Sequence, residues 1–146
     1  EKRENEGDIV CASQFASPET MNFMLQQARG MMCVAMAGEV CDRLELPPQS
    51  ASNTAHRSTA YTVSVDAGQR FGLTTGVSAA DRSRTCKVLA DPESRPNDLD
   101  RPGHMHPLRA VGLDCGTFQA NIREVSRQDR RSNFQRAIEC HVHTSC

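Results

Sequence analysis

The chain has 146 residues, of which 38% are hydrophobic and 24% charged, and its formal net charge is −1. This length suits one globular domain with a buried core, and the small net charge, with one Tyr and no Trp, argues against nucleic-acid binding. No run of about 18 apolar residues could span a bilayer and no leader pattern is visible, so we expect a cytoplasmic protein with no membrane partner and with reduced cysteines.

The first third of the chain shows helix and strand patterns in turn. Ser17 followed by Pro18 predicts a helix start, and apolar residues at helical spacing carry the pattern to a stop at Gly30. The apolar run over residues 31–36 predicts a strand covered on both faces. Residues 38–46 predict a short second helix, halted by two prolines.

The middle of the chain predicts a strand and then a longer helix. Residues 60–65 alternate apolar and polar side chains, which is typical of a half-buried strand. Ser78 followed three residues later by Asp81 resembles a capping box, so a helix is predicted over 79–89. Helices and strands therefore mix along the chain.

The last third is less regular. Residues 91–103 are rich in Pro, Asp, Ser and Asn and are predicted to form a loop, from which a strand leaves over 105–111. The stretch 121–136 is rich in arginine, and both a marginal surface helix and disorder remain open for it. Cys140, His143 and Cys146 have spacings that a zinc ion could accept, but one crowded cluster falls short of a structural zinc site.

Three separated stretches carry a more specific signal. They are RENEGDIV at 3–10, TTGVSAADR at 74–82 and RPGHMHPLRA at 101–110. Together and in this order they resemble the 3,4-dihydroxy-2-butanone-4-phosphate synthase family of riboflavin biosynthesis. By itself, the first stretch would be interpreted as a solvated run of charges.

The resemblance implies a fold, a reaction and partners. The fold is α+β, a mixed β-sheet flanked by helices, here expected to be incomplete at both ends. Residues 1–111 would form the synthase-like domain and residues 112–146 a divergent tail. The reaction is that of a lyase, which converts D-ribulose 5-phosphate to L-3,4-dihydroxy-2-butanone 4-phosphate and formate. The resemblance further implies Mg²⁺ or Mn²⁺ as cofactor and a homodimer as the assembly.

The family's functional positions can be placed residue by residue. Glu4 matches a metal ligand, while Arg3 and Asp8 match positions that contact the substrate. Glu6 belongs to the same acidic cluster and, with Asp8, is a candidate for acid–base catalysis. His104 matches a histidine important for catalysis, and imidazole suits proton transfer near neutral pH.

Further candidates come from the other stretches. The resemblance implies a substrate-facing role for Thr75, whereas helix capping accounts for Ser78. Cys33 matches a cysteine near the substrate pocket, and a buried structural thiol is equally compatible with its apolar surroundings. His106 stands where the family usually has an apolar or aromatic residue, so we expect it to pack or to lie on the surface.

The sequence departs from the family after residue 110. The family's Gly-His-Thr-Glu motif supplies a second metal ligand, but no histidine lies between His106 and His141. A late catalytic glutamate also has no convincing match, since Glu139 has a different setting. The alternative is therefore a catalytically inactive fragment that retains at most weak sugar-phosphate or subunit binding.

Overall fold

A computed structural model describes residues 7–110 and 139–144 of the chain. Its elements are, in chain order, β1 (Gly7–Ala12), α1 (Pro18–Ala28), β2 (Met32–Ala37), α2 (Gly38–Arg43), β3 (Val65–Ala67), α3 (Ala79–Ala90), β4 (Leu99–Ala110) and β5 (Glu139–Thr144). The five strands form one sheet in the order β1-β5-β2-β4-β3. β2 and β4 are parallel and the other pairs are antiparallel, so the sheet is mixed as predicted.

The hydrophobic core lies between this sheet and the helices α1 and α3. Both helices contact each other and several strands on the same side of the sheet. Alternate residues of β2 face this core, and Met32, Val34 and Met36 are at most 2% exposed. Burial on this scale is the main source of stability in a domain of this size.

The two longer helices begin where the sequence predicts. The Ser17 hydroxyl accepts the Thr20 backbone N–H at 3.1 Å, and Ser78 accepts that of Asp81 at the same distance. α1 ends at Ala28, just before the predicted stop at Gly30, and Arg29 adopts the left-handed conformation (φ 56°) that ends the helix.

Three predicted boundaries are wrong. α2 ends at Arg43 rather than at residue 46, since the chain turns there to bury Leu44 and Leu46 in the core. The strand expected over 60–65 is continuous only from Val65 to Ala67. Its earlier part changes partners, because Thr62 N–H donates to Pro107 in β4 while Val63 N–H donates to Pro47.

The third error concerns β4, which begins at Leu99 inside the predicted loop. Leu99 and Asp100 pair with Ala67 and Asp66 of β3, and the register then shifts, so that residues 101–104 bulge opposite the step between Val65 and Asp66. The Pro and polar residues of this bulge have the composition of a loop, which explains why a loop was predicted over residues 91–103.

β5 joins the sheet between β1 and β2, a position that the sequence did not predict. It pairs with β1 over its full length and with β2 over residues 139–142. Strand alternation puts positions 140 and 143 on opposite faces of the sheet, an arrangement that does not suit a compact zinc cluster. The arginine-rich stretch 121–136 lies outside the described residues, and the division of the chain at residue 111 stays a prediction.

Candidate active site

Three of the predicted site positions, Asp8, Cys33 and His104, lie on the face of the sheet opposite α1 and α3, which we call the open face. On this open face Cys33 of β2 is the register partner of His106 on one side and of position 141 on the other, and position 141 pairs in turn with Val10. Register partners on neighbouring strands share one face. These four positions therefore form a row across the sheet, which we call the Cys33 row.

Asp8 and His104 lie on the same face as the Cys33 row. Asp8 is two residues before Val10 in β1, and residues two apart on a strand share a face. His104 comes two residues before His106 in β4, and Met105 between them is buried in the core on the other side. The sheet therefore presents position 8 and the predicted catalytic histidine on one face, on strands three apart in the sheet order.

His104 is held by a buried carboxylate. Its ring Nδ1 lies 2.6 Å from Oδ2 of Asp66, and its backbone N–H donates to Oδ1 of Asp66 at 2.9 Å. A carboxylate only accepts, so the hydrogen bond assigns a proton to Nδ1, and in the neutral tautomer that fits this bond Nε2 has the free lone pair. The His104 side chain is 44% exposed and that of Asp66 11%, so the far edge of the imidazole is open to a ligand.

Gly103 explains how the strands approach closely enough for this contact. A Cβ at position 103 would overlap the backbone of Val65 and Asp66, so only glycine lets β3 lie against the bulge of β4 here. The Gly103 N–H donates to the carbonyl oxygen of Ser64 at 3.1 Å. The glycine before His104 in the RPGH motif thus has a packing role.

The turn that precedes α3 closes one side of the histidine. Gly76 is buried with φ +80°, and a Cβ there would lie 2.7 Å from both Cγ of Asp66 and Nδ1 of His104. The backbone of Gly76 therefore covers the hydrogen bond between these two residues. Thr75, predicted to face the substrate, is exposed in the same turn.

Asp81 holds this turn from behind. Its fully buried carboxylate accepts hydrogen bonds from Thr74 N–H (3.2 Å), Thr74 Oγ1 (2.7 Å) and Gly76 N–H (3.1 Å). Burial by itself raises the pKa of Asp81, but hydrogen bonds from Thr74, Ser78 and Gly76 outweigh it and lower the pKa to about 2. The carboxylate is ionised at any physiological pH.

The other histidine of β4, His106, has a perturbed pKa. Burial, reinforced by the electrostatic effect of nearby Arg82 and His104, lowers the pKa of His106, so its imidazole is neutral near pH 7. His106 is partly buried, in agreement with the packing or surface position that we expected for it. Cys33 is 4% exposed, and burial followed by the charge and hydrogen bonding of Cys33 raises the pKa of Tyr61.

The acidic loop lies outside this description. Arg3, Glu4 and Glu6 precede the described residues, and for Asp8 the structure gives the strand position alone. Their roles stay predictions. Asp66, in contrast, was missed by sequence reasoning, although a signal existed: it is an acidic residue inside the short, wholly buried strand Val65–Ala67, where an ionisable group needs a partner.

Comparison with known proteins decides the family. A model of the family described as 3,4-dihydroxy-2-butanone 4-phosphate synthase matches residues 1–115. The chain belongs to this synthase family. The riboflavin biosynthesis protein RibBA of Synechocystis sp. is 54% identical over 110 residues, which is 75% of this chain and 20% of that protein. The 3,4-dihydroxy-2-butanone 4-phosphate synthase of Neisseria meningitidis is 47% identical over 110 residues, or 30% of its length.

Solved synthase structures share the fold. A 3,4-dihydroxy-2-butanone 4-phosphate synthase in complex with two magnesium ions superposes with a TM-score of 0.82 at 36% identity, over 97% of this chain and 65% of that one. RibBX, a two-domain synthase from A. baumannii, superposes with a TM-score of 0.79 at 30% identity, over 97% of this chain and 41% of that one. The chain thus spans 20% to 30% of the length of the two curated relatives.

The described residues do not by themselves supply a synthase metal site. Over residues 9–110, no group of three or more His, Cys, Asp or Glu side chains is arranged to hold a metal ion. Both carboxylate oxygens of Asp66 are already engaged with His104. Within the same residues, no helix is long and apolar enough to cross a membrane.

Proposed function

We propose that the chain converts D-ribulose 5-phosphate to L-3,4-dihydroxy-2-butanone 4-phosphate and formate, as a lyase of riboflavin biosynthesis. The observation that carries this proposal is the pair formed by His104 and Asp66, which offers one oriented imidazole on the face of the sheet where Asp8 falls. It lies in a chain of the synthase family.

The geometry suits the first chemical step, removal of a proton next to the sugar carbonyl. Asp66 fixes the proton of His104 on Nδ1, so the exposed Nε2 can accept a proton from the substrate and later return it. A hydrogen-bonded carboxylate also stabilises the imidazolium that forms meanwhile. Neutral His106 does not compete as a proton donor near pH 7.

Metal and substrate would meet the acidic loop. Glu4 would hold Mg²⁺ or Mn²⁺ with water and substrate oxygens as further ligands, since Mg²⁺ is usually bound by few carboxylates. The ion, when bound, stabilises negative charge that develops on the sugar oxygens. Arg3 and Asp8 would bind the substrate, Glu6 and Asp8 would assist proton transfer, and Thr75 and Cys33 would line the sugar site.

We also propose that the protein is a cytoplasmic homodimer. Val10 of β1 and Met31, which directly precedes β2, are 41% and 43% exposed, and covering such residues favours association. Sedimentation velocity would show a species of twice the chain mass, and a monomer at micromolar concentration would overturn this part.

The first experiment is formate release from D-ribulose 5-phosphate in the presence of Mg²⁺. We expect formate from the wild-type chain and at least a tenfold lower rate from Glu4→Gln, which keeps the size of the side chain and removes the charge. Glu93→Gln serves as the control, because Glu93 is exposed in a loop, and it should match the wild type. No formate above the reagent blank would contradict the proposed activity, whereas equal rates for Glu4→Gln would contradict the metal site.

A further inference from the structure

Asp81 uses its side chain in a way that helix capping does not require. In a capping box the acidic side chain three residues into the helix bonds back to the N-cap backbone. Here Ser78 alone caps α3, by accepting the Asp81 N–H at 3.1 Å. The Asp81 carboxylate instead accepts three hydrogen bonds from Thr74 and Gly76 of the preceding turn, and a fourth from the Arg84 guanidinium of the same helix at 3.1 Å.

These bonds determine where the turn stands relative to the histidine. Gly76 donates its N–H to Asp81 on one side and packs against Asp66 and His104 on the other. Gly76 is thus in direct contact with Asp81 and with the Asp66–His104 pair. A shift of the turn away from Asp81 would therefore uncover the hydrogen bond between Asp66 and His104.

Arg82, the next residue of α3, connects the same turn to β4. The Arg82 guanidinium donates to the carbonyl of Val77 at 2.9 Å and to the carbonyl of His104 at 3.0 Å. Asp81 and Arg82 thus join the turn, the first turn of α3 and the bulge of β4.

We propose that Asp81 is a positioning residue of the reaction: it holds Gly76 over the Asp66–His104 hydrogen bond, so that water stays out and Nδ1 of His104 keeps its proton. This inference rests on the proposed function for its effect on rate. It predicts that Asp81 influences the chemical step without touching the substrate.

Asp81→Asn tests the proposal with little change in size. An amide has one acceptor oxygen and an NH₂ group that cannot accept, so the N–H groups of Thr74 and Gly76 lose part of their partners. We expect kcat for formate release to fall about tenfold, in the manner of other residues that orient a site, while KM for D-ribulose 5-phosphate changes less than twofold. Asp91→Asn, in the exposed residue just after the same helix, should leave both constants unchanged.

A second measurement does not depend on activity. The ring ¹⁵N chemical shifts of His104, assigned with a His104→Gln spectrum, report which nitrogen carries the proton. We expect protonated Nδ1 in the wild type and a mixture of tautomers in Asp81→Asn. Unchanged ring shifts in a folded Asp81→Asn protein would overturn the proposal, whatever the wild-type rate. Absence of formate from the wild type would count against the proposed function alone, since the ring shifts still decide the role of Asp81.

Discussion

Two hydrogen bonds join Asp66 and His104 at the candidate site. Asp66→Asn keeps the shape of the side chain but can leave an amide NH₂ facing Nδ1, which favours the wrong tautomer. We expect the rate of formate release to fall about 10- to 100-fold, in the range found for outer partners of site residues. Thermal unfolding should change little by comparison.

Asp100→Asn is the matched control for this substitution. Asp100 pairs with Asp66 across β3 and β4 but is exposed, so its loss leaves His104 untouched. Equal rates for Asp66→Asn and the wild type would show that the pair does not orient the histidine during turnover.

Single residues were predictable where their chemistry acts locally. The hydroxyl caps at Ser17 and Ser78 involve a backbone N–H only three residues away, and sequence spacing reveals such contacts. Asp66 and His104 are 38 residues apart and meet only through a bulge. No sequence pattern indicates this contact, so the motif pointed to His104 but not to Asp66.

At the scale of elements, two glycines with similar backbone conformation allow a controlled test of how the turn before α3 packs. Gly72 and Gly76 have φ of +74° and +80°, but nothing lies within 4 Å of a Cβ at Gly72. Alanine at either position should cost about 1 to 2 kcal/mol for the left-handed conformation. At Gly76 the overlap with Asp66 and His104 should add about 1 to 3 kcal/mol.

Urea denaturation of Gly72→Ala and Gly76→Ala measures this difference, and formate release shows its consequence. Gly72→Ala should keep its activity, whereas Gly76→Ala should lose most of it because the histidine must move. Equal losses of stability in the two variants would contradict the close packing of the turn on the Asp66–His104 pair.

Elements whose boundaries are set by nearby residues matched their predictions better than those set by distant ones. The capping residues and apolar positions of α1 and α3 lie within a few residues of one another in the sequence. The start of β4 depends instead on pairing with β3, and the end of α2 depends on core space for Leu44 and Leu46. Both depend on tertiary contacts, which override local propensity.

For the whole molecule, β5 links β1 to the strands that carry Cys33 and His104. β1, which follows the acidic loop, pairs with β5, and β5 pairs with β2. The path from β1 to His104 thus crosses β5 within the described sheet. A tail with no family motif gave no reason to expect a strand there, although the family itself and its mixed sheet were predictable from the three motifs.

Val142→Pro tests this connection, because position 142 pairs with Ile9 on one side and Met32 on the other. Proline removes the backbone N–H and is not tolerated inside a sheet, and each buried group left without a partner costs about 1 to 3 kcal/mol. We expect a lower midpoint of urea denaturation together with loss of formate release. Val142→Thr keeps both the β-branched shape and the N–H, so it should retain most of the stability. If Val142→Pro unfolds at the wild-type urea concentration and keeps its activity, then β5 does not connect the acidic loop to the rest of the site.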